Sequence, residues 1–173
     1  MKQKWVLPLL LTVILAFLMT RPGQGGSSLF TKMNGPAPSW TLQDLDGKPV
    51  SSTNFQGRIL LVNFWATWCP PCRQEIPDFV KFTNEHDTNR VVILGLSADE
   101  GGTGVVKPFV ASYKINYPIL MANQAVIDAF GGVAGFPTTF VIDAKGNFVS
   151  RHLGMFTEVD FKRHVLPLLE AKP

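Results

Sequence analysis

The chain's only two cysteines, Cys69 and Cys72, stand where an apolar run gives way to an amphipathic one. The preceding run, 59–62, is continuously apolar and partly β-branched, which is typical of a strand buried on both faces. The following run, 73–82, repeats apolar residues at helical spacing. The two prolines between the cysteines fit only a first helical turn, where N–H groups have no intrahelical partner. The sequence therefore predicts that the cysteines lie at a strand-to-helix junction.

A cysteine pair at a helix N-terminus is suited to redox chemistry. Unpaired N–H groups and the positive end of the helix dipole favour a thiolate over a thiol. We therefore expect Cys69 to be an exposed nucleophile with a lowered pKa. Cys72, one turn further in, is expected to be more covered and to attack a mixed disulfide formed by Cys69. A C-x-x-C pair close to a β-α-β pattern is typical of a redox motif.

Two other interpretations are half of a zinc site and a structural disulfide. A zinc site usually needs two such pairs, or one pair plus spaced histidines. The chain has no third cysteine, and His86, His152 and His164 show no ligand spacing. A structural disulfide here would close a very short loop and would constrain the unfolded chain little. The sequence thus predicts no metal site and no cofactor.

Two separated motifs carry a family resemblance. Trp-Cys-Pro-Pro-Cys at 68–72, after an apolar strand, resembles the active-site motif of the thioredoxin superfamily, and Gly-Phe-Pro-Thr-Thr at 135–139 resembles its cis-proline loop. The Cys-x-x-Cys-x-x-Glu pattern, the apolar N-terminal segment and the long middle section narrow the match. They resemble membrane-anchored, extracytoplasmic thiol–disulfide oxidoreductases of the TlpA/ResA type, with a redoxin or AhpC/TSA-like domain. The resemblance covers about Met33 to the C-terminus.

The resemblance implies an α/β, thioredoxin-like fold with a mixed central β-sheet flanked by helices. The residues themselves predict alternating βα units followed by a terminal hairpin and helix. Relative to a minimal thioredoxin, we expect an N-terminal β-hairpin and a strand–helix insertion between 97 and 130. The predicted strands are 39–43, a short strand near 50, 59–64, 91–97, 118–120, 138–142 and 147–152. The predicted helices are 69–85 with a kink at Pro77, 105–113, 125–130 and 158–169.

The resemblance also implies a substrate-binding surface beside a redox-active Cys69–Cys72 disulfide. A cis bond before Pro137 would present backbone groups to an extended substrate segment. Trp68 and Phe136 would form apolar walls of this surface, although ordinary partly buried packing is the alternative for both aromatics. The implied substrate-binding residues are Trp68, Pro70, Pro71, Phe136, Pro137 and Thr138.

Three polar residues near the cysteines raise further expectations. Glu75 lies three residues beyond Cys72 on the same helical face. The resemblance implies that it is a catalytic carboxyl that helps to move protons, and the alternative is a solvated glutamate paired with Arg73 or a lysine. Asn63 departs from thioredoxins proper, which carry a buried aspartate there, so that role is absent or has passed to Glu75. Thr67 is expected to end the strand or to cap the helix.

The N-terminal residues predict export. Residues 1–22 combine a basic start with an uncharged apolar run from Trp5 to Met19, as in a secretory signal peptide or an N-terminal membrane anchor. We prefer an uncleaved anchor, with cleavage as the alternative. Residues 23–32 are expected to be a linker and 33–173 the thioredoxin-like domain. The early lysines keep the N-terminus inside, so the domain is expected in the bacterial periplasm or on the outer face of the cytoplasmic membrane.

The charge distribution argues against nucleic-acid binding. Lys2, Lys4 and Arg21 account for three of the 16 basic residues, which leaves 13 basic against 13 acidic residues in the rest of the chain. No basic field therefore remains outside the leader. The expected partners are protein disulfide substrates, with apocytochrome c as one implied by the resemblance, a membrane dithiol electron donor, and the membrane through the N-terminal segment. We expect a monomer.

The expected function is thiol–disulfide exchange with extracytoplasmic proteins, in the reductive direction that cytochrome c maturation uses in similar proteins. The middle section is longer than that of a minimal thioredoxin, but it is too short for the helical insertion that an oxidase of the DsbA kind would carry. A thiol peroxidase would use P-x-x-x-T-x-x-C, but Val62 and Ala66 occupy the proline and threonine positions. A copper carrier of the Sco kind would use C-x-x-x-C plus a histidine, which is a different spacing.

Overall fold

A computed structural model describes residues 30–171, which form an eight-stranded mixed sheet covered by helices. The predicted signal peptide or anchor and linker residues 23–29 lie outside these described residues. Among residues 30–171, none of the helices has both the length and the apolar character that a bilayer crossing requires.

The element order agrees with the predicted thioredoxin-like fold. The strands are β1 Phe30–Lys32, β2 Thr41–Asp44, β3 Pro49–Ser51, β4 Ile59–Trp65, β5 Val91–Ser97, β6 Ile119–Met121, β7 Thr138–Ile142 and β8 Phe148–Leu153. The helices are α1 Pro70–Glu85, α2 Thr103–Ser112, α3 Gln124–Ala129, α4 Glu158–Asp160 and α5 Leu166–Glu170, with a 3₁₀ turn at Ser52–Phe55 and a π turn at Phe161–Val165. The sheet order is β1-β8-β7-β4-β5-β6-β2-β3. The β4–β5 and β5–β6 pairs are parallel and the other pairs are antiparallel, and the predicted N-terminal hairpin is β2–β3.

Strand β4 lies inside the sheet, and all seven of its residues are buried. Successive side chains of a strand point to opposite faces. Leu61 and Trp65 therefore pack into the core that α1 and the C-terminal segment cover, whereas Val62 and Phe64 pack into the core on the α3 side. Asn63 shares the parity of Leu61 and faces α1. This alternation brings a polar side chain from the central strand beneath the helix that carries the cysteines.

Helix α1 begins one residue after Cys69 and continues past Pro77 to Glu85. Its buried stripe centres on Phe79, whose ring packs edge-on against Tyr117 and Phe161 with centroids 5.9 and 5.5 Å away. Aromatic pairs in this arrangement stabilise a core beyond their buried area. This packing fixes the axis of α1 against the sheet, and it therefore fixes the position of the first helical turn, which carries the cysteine pair.

Two sequence expectations outside the site need correction. Residues 30–32, expected to end the linker, instead form β1 and pair with β8, because Phe30 packs against the rings of His152 and His164. The last helix is not a single α-helix over 158–169. A π turn at Phe161–Val165 interrupts it, with the N–H of Leu166 donating to the carbonyl of Phe161. Pro167 follows immediately, and a proline cannot donate the hydrogen bond that a regular α-helical turn requires.

Candidate active site

The two cysteines form a disulfide at the start of α1, as the sequence predicts. Their Cα atoms are 5.3 Å apart, and the backbone N–H of Cys72 donates to Sγ of Cys69 over 3.3 Å. Cys69 is the N-cap residue, so Pro70 and Pro71 occupy the first helical turn. The sulfur of Cys69 therefore receives a hydrogen bond from one of the N–H groups that a helix leaves unpaired at its beginning.

The expectation that Cys69 is exposed is wrong for this disulfide form. Cys69 is 3% exposed, and Cys72 is fully buried. The reason is local, because the sulfur of Cys69 is bonded to a residue inside the first turn and also accepts an N–H of that turn. The predicted order holds, since Cys72 is the more covered of the two.

The two predicted aromatic walls come together beside the disulfide. The ring centroids of Trp68 and Phe136 are 5.9 Å apart at an interplanar angle of 65°. Trp68 is 62% exposed, whereas Phe136 is half-buried and packs against the cluster that contains Cys69. Ordinary partly buried packing therefore fits Phe136 but does not fit Trp68, which presents most of its surface to solvent.

The predicted cis-proline loop is present. The Phe136–Pro137 bond is cis, as the resemblance implied, and the carbonyl of Pro137 accepts a hydrogen bond from the N–H of Gly154 over 2.9 Å. Thr138 is buried, and its hydroxyl donates to the carbonyl of Gly135 over 2.7 Å. Thr138 therefore contributes to the shape of the loop from inside, rather than presenting its side chain at the surface.

The side chain of Glu75, on α1, is buried between this helix and the sheet rather than solvated. It is 2% exposed, its Oε1 accepts from Nδ2 of Asn63 over 2.8 Å, and its Oε2 accepts from the backbone N–H of Phe156 over 2.8 Å. Burial raises the pKa of Glu75 to about 8, although the hydrogen bonds from Phe156 and Asn63 favour the charged form. The alternative of an exposed ion pair with Arg73 or a lysine is therefore wrong.

Asn63 holds this carboxyl from the sheet. Its amide donates both to Glu75 and to the hydroxyl of Thr139, 3.0 Å away on the neighbouring strand β7. Asn63 and Thr139 do not titrate, so Glu75 is the ionisable one of these three hydrogen-bonded side chains. The sequence pointed to both residues, but it did not predict their hydrogen bond.

Thr67 has a role that the sequence did not predict. The helix cap is Cys69, whereas the N–H and hydroxyl of Thr67 donate to the carboxylate of Asp99. Sequence reasoning missed Asp99. The signal was available, because β4 and β5 are parallel neighbours and residues just beyond their carboxyl ends meet at one edge of the sheet.

Comparison with known proteins agrees with this geometry. A model of the AhpC/TSA family matches residues 33–151. The chain belongs to this family. The Thioredoxin-like protein YneN of Bacillus subtilis is 31% identical to this AhpC/TSA-family chain over 166 residues, covering 94% of the chain and 97% of YneN. The Thiol-disulfide oxidoreductase ResA of Geobacillus thermodenitrificans is 32% identical over 161 residues, covering 89% of the chain and 91% of ResA.

A solved structure extends the likeness to the fold. A thiol:disulfide interchange protein of the thioredoxin family from Chlorobium tepidum superposes on this AhpC/TSA-family member with a TM-score of 0.72 at 40% identity, covering 80% of this chain and 99% of that chain. The relatives and the Cys69–Cys72 pair agree on one chemistry. The chain is a thiol–disulfide oxidoreductase.

Proposed function

We propose that this thiol–disulfide oxidoreductase reduces disulfides in extracytoplasmic proteins, with Cys69 as the nucleophile and Cys72 as the resolving thiol. The observation that carries the proposal is the Cys69–Cys72 disulfide at the first turn of α1, with an exposed tryptophan immediately before it. The relative named ResA supports this class of chemistry.

The proposed reaction has two exchange steps. In the dithiol form, the thiolate of Cys69 attacks one sulfur of a substrate disulfide, which releases the other substrate sulfur as a thiolate and leaves a mixed disulfide. The thiolate of Cys72 then attacks Sγ of Cys69, which releases the second substrate sulfur and forms the Cys69–Cys72 bond. Two electrons pass from the enzyme to the substrate, and each released substrate thiolate takes up a proton.

The helix N-terminus supplies the activation of Cys69 in this proposal. The N–H of Cys72 points at Sγ of Cys69, and the helix dipole adds positive potential at the same place. Both interactions stabilise a thiolate more than a thiol, so we expect the pKa of Cys69 in the dithiol form to lie below that of a free cysteine.

Glu75 is proposed to exchange the proton that Cys72 must lose before it can attack. The pKa of Glu75, about 8, is close to neutral pH, so both protonation states of this carboxyl are populated there. A general acid or base acts most effectively when its pKa is near the working pH. It lies on α1 three residues after Cys72, and it is buried with that cysteine away from bulk water. The amide of Asn63 keeps the carboxyl in place from below.

Substrate binding is assigned to the surface of Trp68, Pro70, Pro71 and Phe136, and the buried Pro137 and Thr138 shape the loop behind this surface. Trp68 offers an exposed apolar wall, and none of the hydrogen bonds within residues 30–171 uses the backbone of Phe136. An extended substrate segment can therefore pair with that backbone through main-chain hydrogen bonds, as a strand added to an edge does. Thr138 supports the loop from inside.

The proposed setting follows from the N-terminal sequence. The apolar run from Trp5 to Met19, preceded by lysines, supports an anchored domain on the outer face of the cytoplasmic membrane or in the periplasm. Electrons would then come from a membrane dithiol donor, and apocytochrome c would be one protein substrate. We propose that the enzyme acts as a monomer.

Trapping tests the reaction. With Cys72→Ser, the mixed disulfide at Cys69 cannot be resolved, so disulfide-linked clients should accumulate and disappear on treatment with dithiothreitol. Cys69→Ser is the matched control and should trap none. Alkylation of Cys69 at varied pH should give a midpoint below the value of about 8.5 that a free thiol shows. A midpoint at or above that value, or an empty trap, contradicts the proposal.

The direction of exchange is tested by redox equilibrium. The full-length protein, equilibrated in glutathione or dithiothreitol buffers, should show a reduction potential near that of thioredoxin, about −270 mV. A value near −120 mV would instead indicate an oxidase. Hydrogen peroxide turnover by the same protein would favour the peroxidase alternative, and copper bound in stoichiometric amount would favour the metal carrier.

A further inference from the structure

Thr67, two residues before Cys69, has all of its polar groups bonded to other elements. Its N–H donates to Oδ2 and Oδ1 of Asp99 over 2.9 and 3.2 Å, and its hydroxyl donates to Oδ1 over 2.6 Å. Its carbonyl accepts a hydrogen bond from Nε of Arg73 over 2.7 Å. Thr67 is therefore held from one side by the segment that follows β5 and from the other by the first turn of α1.

The Asp99 carboxylate is built into this arrangement. It is 8% exposed, and Oδ2 also accepts the hydroxyl of Ser97 over 2.8 Å. Both oxygens therefore face donors only. A carboxylate satisfies all of them, whereas the NH₂ group of an asparagine would meet another donor. Hydrogen bonds to an ionised acceptor are also stronger than those to a neutral one.

The bonded threonine lies inside the turn that presents the active site. The N–H of Cys69 donates to the carbonyl of Ala66 over 3.2 Å, which closes a turn whose two central residues are Thr67 and Trp68. One side of this turn is thus anchored to Asp99. The other side carries Trp68, which is 62% exposed, and leads directly into the nucleophile.

We propose that Asp99 is a positioning residue for exchange with protein disulfides. By fixing Thr67, it sets the orientation of Trp68 relative to Cys69. A protein substrate must contact the tryptophan and present its disulfide to the sulfur at the same time, so its rate depends on the orientation of both. A small disulfide needs only the sulfur. The inference rests on the proposed role of Cys69 as the nucleophile.

The test compares two disulfides with the full-length, reduced protein. Insulin is the protein disulfide, and 5,5′-dithiobis(2-nitrobenzoate) is the small one. Asp99→Asn and Thr67→Val should each slow the reaction with insulin about tenfold, because a loosened turn no longer fixes the two groups together. The reaction with the small disulfide should change less than about twofold. Thr67→Ser keeps the hydroxyl and the N–H and should recover most of the insulin rate.

Two further variants separate this contact from general effects. Asp128→Asn removes an exposed charge on α3 and should leave both rates unchanged. The double variant Asp99→Asn with Thr67→Val should be no slower than Asp99→Asn alone, since both substitutions break one contact. Urea unfolding of each variant checks the fold, and Thr67→Val carries the test if Asp99→Asn does not fold.

Several outcomes would overturn the proposal. Equal losses with both disulfides would mean that Asp99 acts on the fold or on the sulfur itself. A shift in the pH midpoint of the small-disulfide reaction in Asp99→Asn, but not in Thr67→Val, would mean that only its charge matters. Unchanged insulin rates would mean that the contact has no role in positioning. If the wild-type protein itself fails to react with insulin through Cys69, the proposed function fails, whatever the variants do.

Discussion

The side-chain amide of Asn63 donates to the buried carboxyl of Glu75, with 2.8 Å between Nδ2 and Oε1. This contact joins the central strand β4 to α1. The backbone N–H of Phe156 reaches the other carboxyl oxygen over 2.8 Å, so the segment after β8 meets the same group. Three elements therefore converge on one ionisable side chain, and burial outweighs both hydrogen bonds in setting its pKa at about 8.

Glu75→Gln should change how stability depends on pH. The pKa of Glu75 is raised from 4.5 to about 8, so above pH 4.5 the unfolded chain releases a proton that the folded protein retains. The stabilisation from the neutral carboxyl is therefore complete below pH 4.5 and is lost as the pH rises to about 8. Relative to wild type, the variant's free energy of unfolding should rise by roughly 1 kcal/mol per pH unit across this window. Urea unfolding of the oxidised proteins measures it, and parallel pH curves would contradict it.

Asn63→Asp should create a second buried carboxyl against Glu75. The substitution removes the donor to Oε1 and places two acidic groups in hydrogen-bond range. Two carboxyls at such a distance tend to share one proton, because ionising both would place two negative charges next to each other in a buried site. We expect a loss of about 2–4 kcal/mol in the free energy of unfolding at pH 8, and a smaller loss at pH 4, where both groups hold protons. Asn63→Leu is the uncharged control, and its loss should not depend on pH in this way.

His152 and His164 should make the fold sensitive to acid. Nε2 of His152 donates to the carbonyl of Met155 over 2.8 Å, and its Nδ1 is buried without a hydrogen-bond partner in residues 30–171. The ring of Phe30 stacks on His164 at 3.6 Å between centroids and lies 4.1 Å from His152. Burial lowers the pKa of both histidines, and the nearby Asp160 offsets this only in part.

The sign follows from the lowered pKa values. The unfolded chain takes up protons near pH 6.5, whereas the folded protein resists them, so the stability that these histidines contribute is present above pH 6.5 and falls below it. His152→Gln keeps a donor for Met155 but cannot titrate. Its deficit in free energy of unfolding relative to wild type should shrink between pH 7 and pH 5. Urea unfolding at several pH values measures this deficit. A constant deficit would show that His152 takes up no extra proton when the protein unfolds in this pH range.

Trp68→Ala should separate substrate binding from stability. Trp68 is 62% exposed and its ring packs edge-on against Phe136, so the free energy of unfolding should change by less than about 1 kcal/mol. Loss of the apolar wall should slow exchange with insulin by about tenfold and leave a small disulfide nearly unaffected. Trp68→Phe keeps an aromatic wall and should retain most of the insulin rate. Equal insulin rates for Trp68→Ala and wild type would show that Trp68 does not contribute to substrate binding.

The parts of this protein that the sequence predicted are those that depend on local pattern. The apolar run, the two prolines and the C-x-x-C spacing together predict the strand-to-helix junction, because each constrains the same few residues. Contacts between distant segments were not predictable in this way. The hydrogen bond from Phe156 to Glu75 spans 81 positions, and the bond from Thr67 to Asp99 spans 32, so both depend on how the sheet is ordered.

Other differences arise from length and chemical state. Strand β1 has three residues, too few to show a period of two. Its pairing with β8 and the packing of Phe30 against His152 and His164 define it, and both depend on distant residues. The low exposure of Cys69 describes the disulfide form, in which the sulfur is bonded into the first turn of α1. A sequence does not state which redox form is present.

Gly95→Ala should destabilise the sheet beside the active site. Gly95 is buried in β5, and a Cβ there would lie 2.5 Å from Cδ1 of Ile119 and 3.0 Å from Nε1 of Trp65. Such overpacking costs about 1–3 kcal/mol in the free energy of unfolding, because the neighbours must leave their preferred rotamers. Ile119→Val removes the Cδ1 atom, so the double variant should recover much of that loss, although Ile119→Val alone leaves a small cavity. Urea unfolding of the wild type, the two single variants and the double variant gives a coupling energy. Simple additivity of the two single losses would show that the clash with Cδ1 of Ile119 is not the cause of the loss in Gly95→Ala.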